Sequence, residues 1–167
     1  TFLYYESNTW YMFVEILNNS TSQGDLSVAT SSDGSHWTYQ QIVLNETWHL
    51  SYPYVFKFNG MCYMIPETYK ITEIRLYKAT NFPSTWNYVA TLVSGRDFVD
   101  SSIFRYNGKW WMFTGDTTNS NCYLYYSNNL TGGWVQHPMS PIVVGDASKA
   151  RRGGRAFVYD TNRVIRT

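Results

Sequence analysis

Two acidic residues in apolar segments carry the main chemical signal in this sequence of 167 residues. Glu67 ends the segment MCYMIPE, and Asp100 lies within the segment FVDSSIF. Glycosidic cleavage needs one carboxyl group that donates a proton and a second one that stays ionised. Because burial raises the pKa of a carboxyl group, Glu67 is the better candidate for the proton donor and Asp100 for the ionised partner. The alternative is that both carboxyl groups only bind backbone amides or cations at strand ends.

Other polar and aromatic residues are candidates for sugar binding. His49 would bond a sugar hydroxyl or shuttle a proton, unless it is a structural histidine beside Trp48. Trp48 and Tyr52 would stack on a pyranose face, or pack in the core or at a rim. Glu15 and Asp116 would contact a ligand, or be solvated charges at strand ends.

The only basic cluster in the sequence is SKARRGGRAF, residues 148–157. Arginine recognises carboxylate and phosphate groups with paired donors, so Arg152 and Arg155 are candidates for binding an acidic sugar or a phosphate-bearing ligand. An ordinary solvated loop is the alternative. The RGGR stretch does not match a phosphate-binding P-loop, because no Lys-Ser/Thr pair follows it and it leads into a predicted strand.

The elements that would position these residues repeat along the chain. The segments FLYYESNTWYMFVE (2–15), YVFKFNGMCYMIPE (54–67) and IFRYNGKWWMFTGD (103–116) each read as an apolar strand, a polar turn and an aromatic strand. Their methionines Met12, Met64 and Met112 are 52 and 48 residues apart. A degenerate fourth copy starts at Phe157.

A second repeated element lies between these segments. It is a strand, a polar or Gly/Pro turn and a tryptophan, with Trp37, Trp86 and Trp134 spaced 49 and 48 residues apart. A unit of ~40–50 residues with four short strands is typical of a propeller blade. The sequence therefore predicts an all-β propeller with four-stranded antiparallel blades, about three and a half of them in one domain over 1–167. The tryptophans are predicted to pack between blades.

The propeller prediction places the candidate residues on one face. The start of an inner strand and the end of its hairpin partner lie at the same end of a blade, so these positions share one mouth. The opposite face receives the turns Asn59-Gly60 and Asn107-Gly108, which suit two-residue hairpin loops and are expected to carry little chemistry. The residues predicted at the mouth are Glu15, His49, Ser51, Tyr52, Glu67, Asp100, Ser101, Asp116, Arg152 and Arg155.

Composition narrows the classes of partner. The net charge is +1, so nucleic acid and anionic membrane surfaces are not expected partners, and no apolar run reaches the ~18 residues of a membrane span. No Cys/His spacing indicates a metal, and no cofactor is expected. Cys62 and Cys122 are either a disulfide or free thiols. Four N-glycosylation sequons, at Asn18, Asn19, Asn45 and Asn129, indicate a secreted or lumenal protein.

Several of these segments carry a family resemblance. The segments TSQGDLSVATSSDGSHW, WHLSYPYVFKFNGMCYMIPE, VDSSIFRYNGKWWMFTGD and GGRAFVY resemble the glycosidase-like five-bladed propeller at the amino-terminal side of plant glucosamine inositolphosphorylceramide transferases and in bacterial relatives. More distantly, the pattern is similar to the arabinanase and xylosidase propellers of glycoside hydrolase family 43. The resemblance implies a secreted or Golgi-lumenal protein.

Two departures from the hydrolase pattern bear on activity. In the hydrolases that the chain resembles, an Asp-Pro pair opens the first blade and supplies the base, whereas here Thr1 stands at the proline position. The resemblance also implies that glycosyl transfer belongs to a separate downstream domain in the plant proteins. The Asp position lies before Thr1, so the sequence does not test the base, and the separate transferase domain weakens the case for autonomous catalysis.

Three functions follow as expectations. The leading one is a carbohydrate-recognising propeller domain of a glycan-processing protein. The alternatives are a glycoside hydrolase with Glu67 as the acid and an Asp as the base, and a structural or protein-binding propeller without a ligand. An open propeller would expose unpaired strand edges, so the remaining blades or a partner chain are expected to close the ring.

Overall fold

A computed structural model describes residues 1–151, 153–161 and 163–166. In the described residues the chain forms antiparallel sheets in sequence order, each a meander of neighbouring strands. The first sheet consists of β1 (Phe2–Glu6), β2 (Thr9–Asn18), β3 (Gln23–Ser31) and β4 (Thr38–Leu44). The second consists of β5 (Ser51–Phe58), β6 (Met61–Glu67), β7 (Glu73–Asn81) and β8 (Thr85–Ser94).

The third sheet repeats this pattern and a hairpin follows it. The sheet consists of β9 (Phe98–Tyr106), β10 (Lys109–Asp116), β11 (Cys122–Ser127) and β12 (Val135–Gln136), and the hairpin of β13 (Phe157–Asp160) and β14 (Arg163–Ile165). A 3-10 helix (Tyr69–Ile71) and a one-turn helix α1 (Ala147–Ala150) complete the elements. In the described part of the chain, no helix is long and apolar enough to span a membrane.

The three sheets are the blades that the repeat predicts. Met12, Met64 and Met112 lie at matching positions on the second strand of each sheet, where each faces a residue of the inner strand. Asn59-Gly60 and Asn107-Gly108 form the hairpin turns, with all four residues at positive φ between 48° and 77°. The prediction of an all-β propeller with four-stranded antiparallel blades is therefore confirmed.

Aromatic side chains fill the space between neighbouring blades. Trp86 on β8 is buried against Phe13 of the first blade, with ring centroids 5.8 Å apart. Phe58 on β5 packs edge-on against Trp110 of the third blade at 4.8 Å. Trp86 thus takes the predicted place between blades, while Trp37 is only half-buried.

Two equivalent β-bulges distort the starts of the inner strands β5 and β9. In the second blade, the register of β5 with β6 shifts between Ser51 and Tyr54. In the third blade, the register of β9 with β10 shifts opposite Phe113–Gly115. Within the bulges, Tyr52 and Asp100 adopt left-handed backbone conformations with φ of 42° and 50°. Such conformations cost roughly 1–3 kcal/mol each in a non-glycine residue. Two strained residues 48 positions apart therefore stand at the same end of adjacent blades.

Candidate functional site

Glu67 lies at the centre of the candidate site because it connects two blades. It pairs with Ser51 in the β5–β6 register, and Ser51 Oγ donates a hydrogen bond of 2.9 Å to Oε1 of Glu67. The backbone N–H of Asp100, in the third blade, donates to Oε2 at 3.1 Å. Both oxygens of the Glu67 carboxyl group thus accept a hydrogen bond, one from each blade.

The surroundings of Glu67 raise the pKa of its carboxyl group above the ordinary value. Burial is the main cause, and the negative charge of Asp100 acts in the same direction. The hydrogen bonds from Ser51 and from the Asp100 N–H lower the pKa, as does the charge of Arg151, but they do not offset burial. Glu67 therefore retains a proton at a higher pH than a free glutamic acid.

Asp100 turns its carboxylate away from this hydrogen bond towards the segment after α1. Its Oδ2 lies 2.9 Å from Nε of Arg151 in an ion pair. The Asp100 side chain is 6% exposed, whereas that of Arg151 is 60% exposed. Tyr52 reaches the same segment, because its hydroxyl donates to the carbonyl oxygen of Gly154 at 3.2 Å.

The sequence prediction missed Arg151 as a residue of this site. Arg151 belongs to the basic cluster, but Arg152 and Arg155 were the expected contacts, and nothing in the cluster distinguishes one arginine from the next. Arg152 lies outside the described residues. We call the group that the structure brings together, Ser51, Tyr52, Glu67, Asp100 and Arg151, the mouth cluster.

Arg155 extends further along the inner strands than the mouth cluster. Its Nη2 donates to the carbonyl oxygen of Val55, in the middle of β5, at 2.7 Å. Its guanidinium carbon lies 4.9 Å from the centre of the Phe2 ring and 5.1 Å from that of Tyr54. Ser101, also predicted at the mouth, is buried and shares a hydrogen bond of 3.0 Å with the hydroxyl of Thr114.

Glu15 and His49 form a separate pair between the first and second blades. The backbone N–H of Gly24 donates to Nδ1 of His49 at 3.0 Å, so the ring proton of a neutral His49 sits on Nε2. Nε2 lies 3.3 Å from Oε1 of Glu15. Both ring nitrogens are therefore engaged, which agrees with the structural alternative for His49.

Asp116 is buried and lies in its own hydrogen-bond network. The backbone N–H and hydroxyl of Thr118 donate to Oδ1, and Oδ2 accepts from Nδ2 of Asn121 and from the hydroxyl of Tyr123, each at 2.9 Å. Burial raises the pKa of Asp116, but these hydrogen bonds outweigh it and lower the pKa below its ordinary value. Asp116 thus differs from the solvated strand-end charge considered as its alternative.

Trp48 packs against the outer strands of the second blade. The guanidinium carbon of Arg75, on β7, lies 4.8 Å from the centre of its ring, and 5.1 Å from that of Tyr88 on β8. Trp48 is partly buried against the hydrophobic core. These contacts agree with the packing alternative for Trp48.

The predicted glycosylation sites differ in their environment. Asn18 and Asn45 both donate from Nδ2 to Oδ2 of Asp25, at 3.0 Å and 3.3 Å. Asn19, Asn45 and Asn129 are exposed, and Asn18 is half-buried. Cys62 and Cys122 are both buried and are not joined in a disulfide. Among the described residues, no three His, Cys, Asp or Glu side chains are grouped closely enough to hold a metal ion.

Comparison with solved structures shows the fold alone, because the sequence identities are low. A thermostable family-43 glycoside hydrolase has a TM-score of 0.70 at 11% identity, over 85% of this chain and 54% of that one. Bacteroides ovatus Xyloglucan PUL GH43B has a TM-score of 0.67 at 16% identity, over 85% of this chain and 29% of that one. The blades thus match part of a glycoside hydrolase family 43 propeller.

Comparison with sequences shows the family. The family model for "Glucosamine inositolphosphorylceramide transferase 1, N-terminal" matches residues 1–166. The glucosamine inositolphosphorylceramide transferase 1 of Oryza sativa subsp. japonica is 42% identical, and that of Arabidopsis thaliana 40%, each over 95% of this chain. The chain spans 22% of the length of each of these relatives. It belongs to the family of glucosamine inositolphosphorylceramide transferase N-terminal domains.

Proposed function

We propose that this domain binds a carbohydrate group at the mouth cluster. The observation that carries the proposal is the pair of matched bulges, which hold Tyr52 and Asp100 in left-handed conformations at one end of adjacent blades. Backbone strain of this kind persists where the surrounding structure enforces it, and it concentrates at functional sites. Glu67 enforces it here, since its carboxyl group accepts the N–H of Asp100.

The chemistry of the mouth cluster suits sugar hydroxyl groups. The carboxylate of Asp100 would accept hydrogen bonds from hydroxyls, and the exposed guanidinium of Arg151 would donate them. Tyr52 is half-buried, and its ring would stack on an apolar sugar face. The names of the relatives point to a glycolipid, so the ligand we propose is the sugar part of an inositolphosphorylceramide headgroup, held for a transferase domain elsewhere in the protein.

The contacts of Glu67 favour binding over cleavage. A general acid must direct its proton at the leaving oxygen, but both oxygens of Glu67 already accept hydrogen bonds within the protein. Asp100 likewise holds Arg151. The raised pKa of Glu67 is the feature that favours the hydrolase alternative, so the test below includes hydrolysis.

A structural propeller without a ligand is the second candidate function. The ion pair between Asp100 and Arg151 favours it, because it neutralises a carboxylate that is nearly closed to solvent. This alternative expects no sugar binding at the mouth and a large loss of stability when the pair is removed.

The test is a glycan array, followed by calorimetric titration of the full-length protein with the best ligand. Asp100→Asn keeps a side chain that tolerates the left-handed backbone and should weaken sugar binding about tenfold or more. Asp33→Asn, in a turn of the first blade, is the matched control and should leave binding unchanged. Absence of sugar binding by the wild type, or equal weakening in both variants, would contradict the proposal.

A hydrolysis assay separates binding from catalysis. The array ligand is incubated with the wild type and with Glu67→Gln, and released sugar is measured. We expect no release by either protein. Release by the wild type that disappears in Glu67→Gln would establish the hydrolase alternative instead.

We further infer how the domain sits in the whole protein. Because the chain matches only 54% of a family-43 hydrolase chain, other segments of the full-length protein are expected to supply the remaining blades of the ring. A secreted or Golgi-lumenal location fits a protein that handles glycolipid headgroups. Among the described residues, the side chains of Asn19 and Asn129 are exposed and form no hydrogen bond, so a glycan at these two sequons would break no contact.

A further inference from the structure

We propose a second binding site, for an anionic group such as phosphate or carboxylate, at the opposite end of the inner strands from the mouth cluster. A cavity of about 220 Å³ lies between the second and third blades. Lys57 and Arg105, near the last residues of β5 and β9, line it together with Arg155. Sequence reasoning expected this face to carry little chemistry, because it considered only the hairpin turns there.

The cavity has an excess of positive charge. Among the residues that the structure describes, three cationic side chains line it and no acidic side chain does. Lys57 forms an ion pair with Glu6, but among the described residues no ion pair involves Arg105 or Arg155. A concave surface lined by one sign of charge concentrates the electrostatic field and attracts ions of the opposite sign.

Arg105 is held by aromatic rings. Its guanidinium carbon lies 5.4 Å from the centre of the Phe58 ring and 6.0 Å from that of Trp110. These rings also line the cavity, and they pack edge-on against each other. Stacking on aromatic faces fixes the plane of a guanidinium while leaving its N–H edge free for a bidentate contact with an anion.

Arg155 provides the inner wall of the cavity. One of its five N–H donors is used by the carbonyl oxygen of Val55, which anchors the side chain along β5. The rings of Phe2 and Tyr54 hold the guanidinium from the side. Two arginines fixed by aromatic rings therefore face one small cavity.

The size of the cavity limits the ligand. Pockets for drug-sized ligands measure roughly 300–1,000 Å³, so an oligosaccharide would extend beyond this cavity. It suits one phosphate group, or one sugar ring that carries a carboxylate. This site shares no residue with the mouth cluster, so it goes beyond the proposed function and can fail or hold independently of it.

The test is calorimetric titration of the full-length protein at low ionic strength with inorganic phosphate, galacturonate and galactose. The charged probes should bind and galactose should not, and the two charged probes distinguish a phosphate ligand from a carboxylate one. Arg105→Gln should weaken binding of the preferred anion about tenfold or more, since it removes a charge-assisted bidentate contact.

Lys109→Gln is the matched control. Lys109 is exposed, lies over the ring of Tyr126 at 5.1 Å, and is outside the cavity, so this variant loses the same charge beside an aromatic ring. It should change the affinity less than twofold. Arg105→Lys keeps the charge without the planar fork and should weaken binding several-fold, which tests the site even if Arg105→Gln folds poorly. No binding of either anion, or equal losses in Arg105→Gln and Lys109→Gln, would overturn the proposal.

Discussion

The backbone N–H of Asp100 donates a hydrogen bond of 3.1 Å to Oε2 of Glu67, although the two residues belong to neighbouring blades. This contact fixes the backbone of Asp100 in its left-handed conformation. The carboxylate of Asp100 is then directed towards Arg151 instead of Glu67. One side chain of the second blade thereby sets the position of the Asp100 carboxylate in the third.

Removing the Glu67 carboxyl group should destabilise the protein strongly. Glu67→Ala leaves the buried hydroxyl of Ser51 and the N–H of Asp100 without their acceptor, so we expect a loss of about 2 kcal/mol or more in the free energy of unfolding. Glu15→Ala is the matched control, because Glu15 occupies the equivalent position of the first blade and its side chain is 42% exposed. Urea unfolding of both variants measures the difference. Equal losses would show that the link between blades contributes little.

The stability contribution of Glu67 should depend on pH. Because its pKa in the folded state is raised above the value of 4.5, the contribution is complete at low pH and is lost as the pH rises through the raised pKa. Glu67→Gln does not titrate, so the stability of the wild type relative to this variant should fall over the pH range above 4.5. Urea unfolding across that range tests it. A difference that rises with pH would contradict the burial of this carboxyl group.

Asp116 should show the opposite dependence. Its pKa is lowered, so its contribution is present above the unfolded value and is lost as the pH falls through the folded value. Asp116→Asn should lower the free energy of unfolding by about 1–3 kcal/mol at neutral pH, because donors in its network lose an acceptor. The loss should be smaller below about pH 4. Tyr123→Phe removes one of these donors and should give a smaller effect with the same sign. A constant cost at all pH values would contradict the assignment.

The sequence predicted the fold well because the signals for it are local and repeated. The Asn-Gly turns fix the hairpins, and the spacing of Met12, Met64 and Met112 fixes the blade period. The same geometry also predicted that Glu67 and Asp100 would lie on one face of the blades. In an antiparallel hairpin the start of one strand lies beside the end of the other, so this prediction requires no knowledge of side-chain contacts.

Side-chain partners were harder to predict, since they depend on contacts between distant parts of the chain. Arg151 was not distinguished from its neighbours, because its ion pair with Asp100 spans 51 residues. Trp48 was a candidate for stacking on a sugar because of its residue type. In the structure the guanidinium of Arg75 lies over its ring instead. The sequence also did not predict the bulges at Tyr52 and Asp100. A positive φ is usually predicted from a glycine, and neither residue is a glycine.

The Asp100–Arg151 pair should show measurable coupling. Asp100→Asn and Arg151→Gln each remove one partner, and the double variant removes both. We expect a coupling energy of about 1 kcal/mol, above the usual value for exposed pairs because Asp100 is nearly buried while Arg151 is not. A double-mutant cycle by urea unfolding measures it. Additive losses would mean that the pair does not stabilise the mouth cluster, and would weaken the case for a purely structural domain.

Gly24 should tolerate no side chain, although its backbone is not left-handed. A Cβ atom there would lie 2.4 Å from the carbonyl oxygen of Leu50, 2.7 Å from Oε1 of Glu15 and 2.9 Å from Cε1 of His49. The first of these atoms is backbone and cannot move aside, so Gly24→Ala must separate β3 from the segment that leads into β5. We expect a loss of about 1–3 kcal/mol in the free energy of unfolding, as for other overpacked sites.

Gly132→Ala is the control for this last variant, because a Cβ atom at Gly132 would meet nothing within 4 Å. Gly132→Ala should change the free energy of unfolding by no more than about 0.5 kcal/mol. The histidine provides a second measurement, since the N–H of Gly24 donates to Nδ1 of His49. In an NMR titration, the His49 ring signals should shift in Gly24→Ala and stay unchanged in Gly132→Ala. Unchanged His49 signals in Gly24→Ala would show that the two blades do not meet through this glycine.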